Sequence, residues 1–407
     1  MFALNNNDLY MTVYNANDDV KALISTSILQ LIHECDILIL ISKIVGGHMD
    51  YKVMHKDKVI ALANENGISE IIDKSLCPDC FAIGMPLEIW LDNRCVDIHR
   101  SHSRKLFKAL RLRTPDDIEQ VIDVGHGISI TDNWWIQRAD EKLDYSSLKQ
   151  YNEEIANIAL YGSSSSNSGN TKGYRELGTV GSYEKAWRYI NSCWYMFKHG
   201  NIQELISEYY SYQFLKNMGV NVAEYEIKHT KSEETGITST FIVTKDFTNN
   251  AKVDFEPFCN YYTDHDEPEY IIPRLDEKLI KPYVMMVFYD ALLHNDDRHN
   301  QNAGVLRDSN TGEIIGLAPY FDYNLGLIST GVPRIDDVNG NVFTESFLAN
   351  EVCRKILKTE LPDRDTIINS IETAGIETKK AFPDVSLNYE LIKNYIIRTY
   401  DFLANAI

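Results

Sequence analysis

The chain has 407 residues, 44% of them hydrophobic, and a formal net charge of −19 from 59 acidic against 40 basic side chains. That length supports two or three domains with a sizeable core. The acidic balance opposes tight contact with a nucleic-acid backbone or an anionic bilayer, so neither direct nucleic-acid binding nor membrane docking is expected as the main function. The opening stretch MFALNNNDLYMTVYNANDDV has no basic region followed by an apolar core, and the apolar run at 37–41 is far too short to cross a membrane. The chain therefore reads as cytoplasmic, and seven widely spread cysteines, an odd number, suit reduced thiols.

Residues 1–110 carry mixed signals: strand-like at 9–14, apolar-rich from 24 to 45 before Gly46-Gly47, and helical at 103–112. They read as an N-terminal α/β region of its own, a candidate surface for a protein partner. Within it Cys77-Pro78-Asp79-Cys80, with Cys95, His99 and His102 downstream, has one pair at zinc-ligand spacing. The second pair fits less well, because 94–112 reads as an exposed turn leading into an amphipathic helix with solvated histidines. The preferred reading is without metal, and redox chemistry at CPDC lacks a βαβ frame. Residues 111–160 read as a connecting segment. TPDDIEQVIDV at 114–124 starts a helix, through a threonine, a proline at the next position and an acidic first turn. At 127–136 a strand entry and a turn lead to Trp134 and Trp135, read as core packing.

From 161 to 250 the pattern changes. SSSSNSGNTK at 163–172 has the composition of a flexible linker. After it Gly178, Thr179, Gly181 and Ser182 suit a phosphate-covering loop, since amides without side chains approach an anion closely. This loop is expected to become ordered on nucleotide binding and to be autophosphorylated at Thr179 or Ser182. Residues 186–199 alternate like two strands joined by Asn191-Ser192 and end in Lys198, placed to hold the α and β phosphates. The helix expected at 203–218 buries Leu205, Tyr209, Tyr212 and Leu215 and stops at Gly219. It carries Glu208 as the partner of Lys198, with Glu204 as a competitor. A strand at 240–244 leads into a polar hinge, where Thr244, Lys245 and Asp246 would meet the nucleotide.

The remainder, 251–407, reads as mainly helical. A buried helix at 283–293 (YVMMVFYDALL) delivers LHNDDRHNQN, in which Asp297 precedes Asn302 by five positions and Asp322 by 25. In the phosphoryl-transfer scheme the first aspartate accepts the proton of the attacking hydroxyl, and the asparagine and later aspartate bind metal. Val305-Leu306, the turn DSNTG at 308–312 and Ile314-Ile315 form the hairpin that brings Asp322 back to the loop. The order is glycine loop, strand lysine, helix glutamate, hinge, DxxxxN loop, hairpin, aspartate: the kinase order.

From about Gly127 to the C-terminal helices, most densely in YEKAWRYI, WYMFKHG, SEYYSYQFLKNMG, NDDRHNQNAGVLRDSNTG and APYFDYNLGL, the chain resembles the HipA-like kinases and the HipA-like C-terminal-domain proteins of bacterial and phage genomes. DRHNQN also looks like the catalytic loop of phosphatidylinositol kinases. The resemblance implies an α+β, two-lobed protein-kinase-like fold, with an N-lobe over 161–250, a mainly helical C-lobe over 251–407 and the extra N-terminal region. It further implies ATP with magnesium and phosphorylation of serine or threonine in an unidentified protein substrate. Residue by residue it gives Lys198 to the phosphates, Glu208 as its partner, Asp297 as base, and Asn302 and Asp322 as metal ligands. The regulatory serine of founding members falls in Leu177-Gly178-Thr179-Val180-Gly181-Ser182 without a clear counterpart, and residues 1–110 do not match the family's N-terminal domain. Two alternatives stay open on the sequence, a nucleotide-gated binding module without catalysis and a lipid kinase.

Overall fold

The computed structural model describes residues 51–407 except 65, 95–99, 111–121, 123–124, 149–150, 164–182, 232–237, 262–266 and 332–341. The expectations for residues 1–50, for the helix start at 114–124 apart from Ile122, and for the loop carrying Gly178, Thr179, Gly181 and Ser182 lie outside the described residues.

The strands form three antiparallel sheets. The first contains β1 (Tyr51–His55), β2 (Lys58–Asn64), β3 (Gly67–Ile71) and β4 (Trp134–Arg138), in the order β3-β2-β1-β4. Strand β4 pairs with β1 from Arg138 opposite Tyr51 to Trp134 opposite His55, so the sheet draws on both sides of residue 110. Trp134 and Trp135 are buried, as their core reading requires, and each indole satisfies its N–H on a backbone carbonyl, of Leu76 at 2.8 Å and Lys56 at 2.7 Å.

The second sheet is β5 (Lys185–Ile190), β6 (Cys193–Lys198), β7 (Tyr225–Lys231) and β8 (Thr238–Lys245), in the order β5-β6-β8-β7. Asn191 and Ser192 join β5 to β6 with φ of 49° and 64°, the left-handed pair that a two-residue hairpin needs to match strand twist. The third sheet is β9 (Val253–Pro257), β10 (Gly304–Asp308) and β11 (Ile314–Leu317), in the order β11-β10-β9. Its DSNTG turn closes at Gly312, φ 75°, where a Cβ would lie 1.7 Å from the Ser75 carbonyl oxygen. Glycine is required there by conformation and by the close approach of the segment after β3.

Short helices α1 (Asp79–Ala82) and α2 (Leu87–Asp92) follow the first sheet. Helices α3 (Ser103–Leu110) and α4 (Glu153–Tyr161) cover one face of the second sheet, packing Leu106, Ile155 and Leu160 with Phe197, Phe241 and Val243. Helix α5 (Ile202–Asn217) links that sheet to a helical body of α6 (Glu277–Leu293), α7 (Val342–Ala349), α8 (Glu351–Glu360), α9 (Arg364–Ala381) and α10 (Tyr389–Ala406). Asn201, Asn350, Asp363 and Asn388 cap α5, α8, α9 and α10, their side chains accepting from free first-turn amides. Every residue of α6 from Val287 to Leu293 is buried, which explains why a segment so apolar stays helical inside the protein. The result is the expected α+β architecture, three antiparallel sheets together with a helical body. All the described residues fall in one compact unit, Tyr51–Ile407.

Candidate active site

Lys198 ends β6 and Glu208 sits two turns into α5, whose start Asn201 fixes by capping. The lysine Nζ lies 3.1 Å from Glu208 Oε1 and 2.7 Å from Asp322 Oδ1, so one ammonium bridges two carboxylates. Asp322 reaches this position because the residues before it are pinned: Ala223 N–H donates to the Tyr320 carbonyl and Tyr320 N–H to that of Asn221. Asp322 itself is left-handed, φ 62°, a conformation aspartate tolerates better than most side chains. Its backbone N–H donates to the Tyr225 hydroxyl at 3.3 Å, and the same hydroxyl hydrogen-bonds the Glu208 carboxylate.

The electrostatics follow. Burial penalises the Asp322 carboxylate, but the ammonium of Lys198, with Lys185 and Arg298 beyond it, outweighs that and holds its pKa at about 2. Burial pushes the Glu208 carboxyl up and leaves it above the usual carboxylate range although Lys198 pulls it down. Burial likewise works against the charge on Lys198, yet Asp322 and Glu208 together hold its pKa above the ordinary lysine value.

Asp297 and Asn302 stand on the loop after α6, which ends at His294 in the left-handed region, φ 48°. Asn302 Nδ2 donates to the Asp297 carbonyl at 3.1 Å, which fixes the amide and leaves its Oδ1 for a cation. What holds the loop against the Asp322 segment is Arg298. Its guanidinium donates to both oxygens of Asp290 at 3.0 Å and, through Nη1, to the carbonyls of Asn302 and Phe321 at 2.6 Å each. Arg298 and Asp290 are both buried, and the guanidinium stacks 4.7 Å above the Tyr323 ring. One charged fork thus ties α6, the loop and the residue preceding Asp322.

These groups line a cavity of about 590 Å³ shared by Lys198, Glu208, Asp297, Asn302 and Asp322. That volume is in the range of small-molecule sites. Thr244 and Lys245 also line it, as expected for the hinge, while Asp246 does not. The Asp246 carboxylate is instead engaged in its own turn, accepting from Thr248 N–H at 2.8 Å and Asn250 N–H at 2.7 Å. Among the described residues no cluster of three or more His, Cys, Asp or Glu side chains is built for a metal. A carboxylate plus an amide in one cavity nevertheless suits magnesium, which keeps water and shares its coordination with phosphate oxygens. Lys185, Lys198 and Lys245 on the same cavity suit the anionic part of a nucleotide.

Sequence reasoning missed Arg298 and Asp290, although a lone aspartate inside YVMMVFYDALL was a usable signal, since a buried charge needs a partner. It also missed Lys185 and Tyr225. Glu204, the competitor for Lys198, is bonded to the Tyr183 hydroxyl at 2.6 Å. Also lining the cavity, Glu184 pairs with His199 at 3.3 Å, and that hydrogen bond lowers its carboxyl to about 2. Arg94, read as part of an exposed turn, is buried because it forms a two-pronged pair with Asp132 at 2.9 and 2.7 Å. Cys77 and Cys80 are buried free thiols, and burial raises Cys77 to about 12, so both are protonated at neutral pH. Of their proposed companions, Cys95 and His99 lie outside the described residues, and His102 Nδ1 meets the Ala159 carbonyl at 3.4 Å. No described helix is long and apolar enough to cross a membrane.

No family model and no curated protein matches the chain. Among solved structures it is similar to the proinflammatory kinase CtkA of Helicobacter pylori, at 22% identity over 55% of this chain and 90% of the other, with a TM-score of 0.37. It is also similar to a chain of the toxin–antitoxin complex of HipA, HipB and operator DNA from Shewanella oneidensis MR-1, at 12% identity over 87% of this chain and 97% of that one, with a TM-score of 0.48.

Proposed function

We propose that the protein is a phosphotransferase of the protein serine/threonine kinase type that uses ATP and magnesium. The observation that carries this reading is Lys198 bridging Glu208 and Asp322 in the same cavity as Asp297 and Asn302. A structural ion pair has no need of a second, partly exposed carboxylate beside a cavity, yet Asp322 is 25% exposed while Glu208 is 2% exposed. Glu208 orients the ammonium from the buried side; Asp322 presents oxygens to the open side.

Bound magnesium and ATP supply the phosphoryl group and neutralise its charge. Asn302 Oδ1 and the ionised Asp322 would hold the metal, and Lys198, kept protonated by its two carboxylates, would hold phosphate oxygens. Asp297 would accept the proton of the acceptor hydroxyl as that oxygen bonds to the γ-phosphorus and the bond from the γ-phosphorus to the ADP oxygen breaks, ADP leaving. Arg298 keeps the loop and the Asp322 segment in register, so the proton acceptor and the metal ligands converge on one point. Cytoplasmic residence belongs to the same reading.

The test is transfer of radiolabel from γ-labelled ATP, with magnesium, to dephosphorylated cell extract by the full chain, followed by acid hydrolysis to identify the labelled amino acid. Phosphoserine or phosphothreonine, absent with Asp297→Asn, is the expected result. Label confined to phosphoinositide vesicles would make it a lipid kinase. ATP-dependent thermal stabilisation with no transfer to any acceptor would make it a nucleotide-gated binding module.

A further inference from the structure

The two carboxylates that share Lys198 come from distant parts of the chain, Glu208 from α5 and Asp322 from the segment after β11. An ammonium between them sets the spacing of their charges but not the direction in which Asp322 points. That direction is set by its backbone, whose φ of 62° is left-handed, a conformation kept only where the surroundings over-determine it. Two buried hydroxyls grip the chain on either side of the Asp322 side chain. Tyr225, at the start of β7, accepts from the Asp322 N–H at 3.3 Å, and Ser207 on α5 donates from Oγ to the Tyr323 carbonyl at 3.0 Å.

We propose that Tyr225, assisted by Ser207, is a positioning residue that ties α5 to Asp322 and holds the Asp322 carboxylate in the direction that ligates the metal-bound nucleotide. The assignment rests on the phosphotransferase reading above. An amide only donates, so the phenol oxygen must accept from Asp322; its own proton is then left for the Glu208 carboxylate, which only accepts. Lys198 donates to Glu208 and to Asp322 Oδ1, which closes a ring of hydrogen bonds through four residues. In such a ring each bond polarises the next, and loss of one member loosens the others.

The hydroxyl is not needed to hold the strand in place. Ala223 N–H to the Tyr320 carbonyl and Tyr320 N–H to the Asn221 carbonyl, each 2.9 Å, already join the two segments ahead of Tyr225 and Asp322. The Tyr225 ring is held separately, edge-on against Tyr212 with centroids 5.7 Å apart, and Tyr212 lies one turn beyond Glu208 on α5. Phenylalanine at 225 keeps that ring contact and loses only the bonds to Asp322 and Glu208.

The experiment measures the Kd of ATP for the full chain by calorimetry, once in excess magnesium and once in EDTA, with each variant shown to be folded by circular dichroism. Tyr225→Phe is expected to weaken binding in magnesium about fivefold to tenfold, and Ser207→Ala about twofold to fivefold, with Kd in EDTA moved less than twofold in both. Tyr212→Phe is the control: it is a comparably buried tyrosine whose hydroxyl accepts from Lys216 at 3.2 Å, and its loss should move neither Kd. Binding in magnesium unchanged in Tyr225→Phe, or in Ser207→Ala should the first variant not fold, would overturn the positioning role. So would an equal loss in EDTA, or an equal loss in Tyr212→Phe. In each of these cases a wild type that gains affinity from magnesium leaves the phosphotransferase reading standing. A wild type that binds ATP no more tightly in magnesium than in EDTA contradicts Asp322 as a metal ligand, and the positioning role falls with that reading.

Discussion

Replacing Arg298 by methionine isolates the contribution of the buried fork. The guanidinium makes two bonds to Asp290 and two to the carbonyls of Asn302 and Phe321, with both charged side chains out of water. Removing one partner of a buried pair leaves the other charge stranded and costs about 3–5 kcal/mol. At a slope of a few kcal/mol per molar denaturant, that moves the urea midpoint down by roughly 1 M. Methionine keeps apolar contact with the Tyr323 ring, so the loss is electrostatic rather than a cavity. The companion variant is Asp290→Asn combined with Arg298→Met. It removes the stranded carboxylate while keeping an acceptor for Asn295 Nδ2, which now donates to Asp290 Oδ1 at 3.0 Å. The double variant should recover all but about 1–2 kcal/mol of wild-type stability. Phosphotransfer should stay low in both, because neither tethers the carbonyls of Asn302 and Phe321. Urea unfolding followed by tryptophan fluorescence gives the numbers. A single variant within 1 kcal/mol of wild type, or a double variant no more stable than the single, would refute the reasoning.

Three further outcomes are expected. Lys198→Met leaves Asp322 and Glu208 facing each other, so their pKa values rise above unfolded values and the folded state takes up protons first. The stability of that variant relative to wild type should therefore increase by about 1 kcal/mol or more from pH 8 to pH 5, and a flat difference across that range would count against the bridging role. In wild type the Asp322 contribution has the opposite sign: it is in place above the unfolded value of 3.8 and is lost as pH falls through about 2. Gly312→Ala puts a Cβ against the Ser75 carbonyl in a left-handed turn and should lower stability by about 1–3 kcal/mol, readable in the same urea titration. Native-state alkylation with iodoacetamide, read by mass spectrometry, should label the partly exposed Cys193 and Cys259 before the buried Cys77 and Cys80; early labelling of Cys77 would show that the segment after β3 opens readily.

Much of the site was legible because its signals are local. The DxxxxN loop, the DSNTG turn, the paired strands around Asn191-Ser192 and the Glu208 helix each show in a window of twenty residues or fewer, and hairpins and helices are encoded at that range. What was illegible depends on distant pairing. Strand β4 joins β1 across some eighty residues, and no periodicity in 51–71 announces a partner at 134–138. Arg94 looked exposed because Asp132, which takes it out of solvent, is 38 positions away. Asp246 looked like a hinge ligand because it is polar and follows a strand, whereas its carboxylate closes a local turn.

The most direct test of the central claim is the rate of phosphoryl transfer from ATP at saturating magnesium for wild type, Asp297→Asn and Asp322→Ala, each shown to be folded by circular dichroism. Loss of a proton acceptor or a charged metal ligand should cost several kcal/mol of transition-state stabilisation and lower the rate about a thousandfold or more. Full magnesium-dependent transfer by either variant would contradict the assignment of this cavity as the place where the phosphoryl group moves.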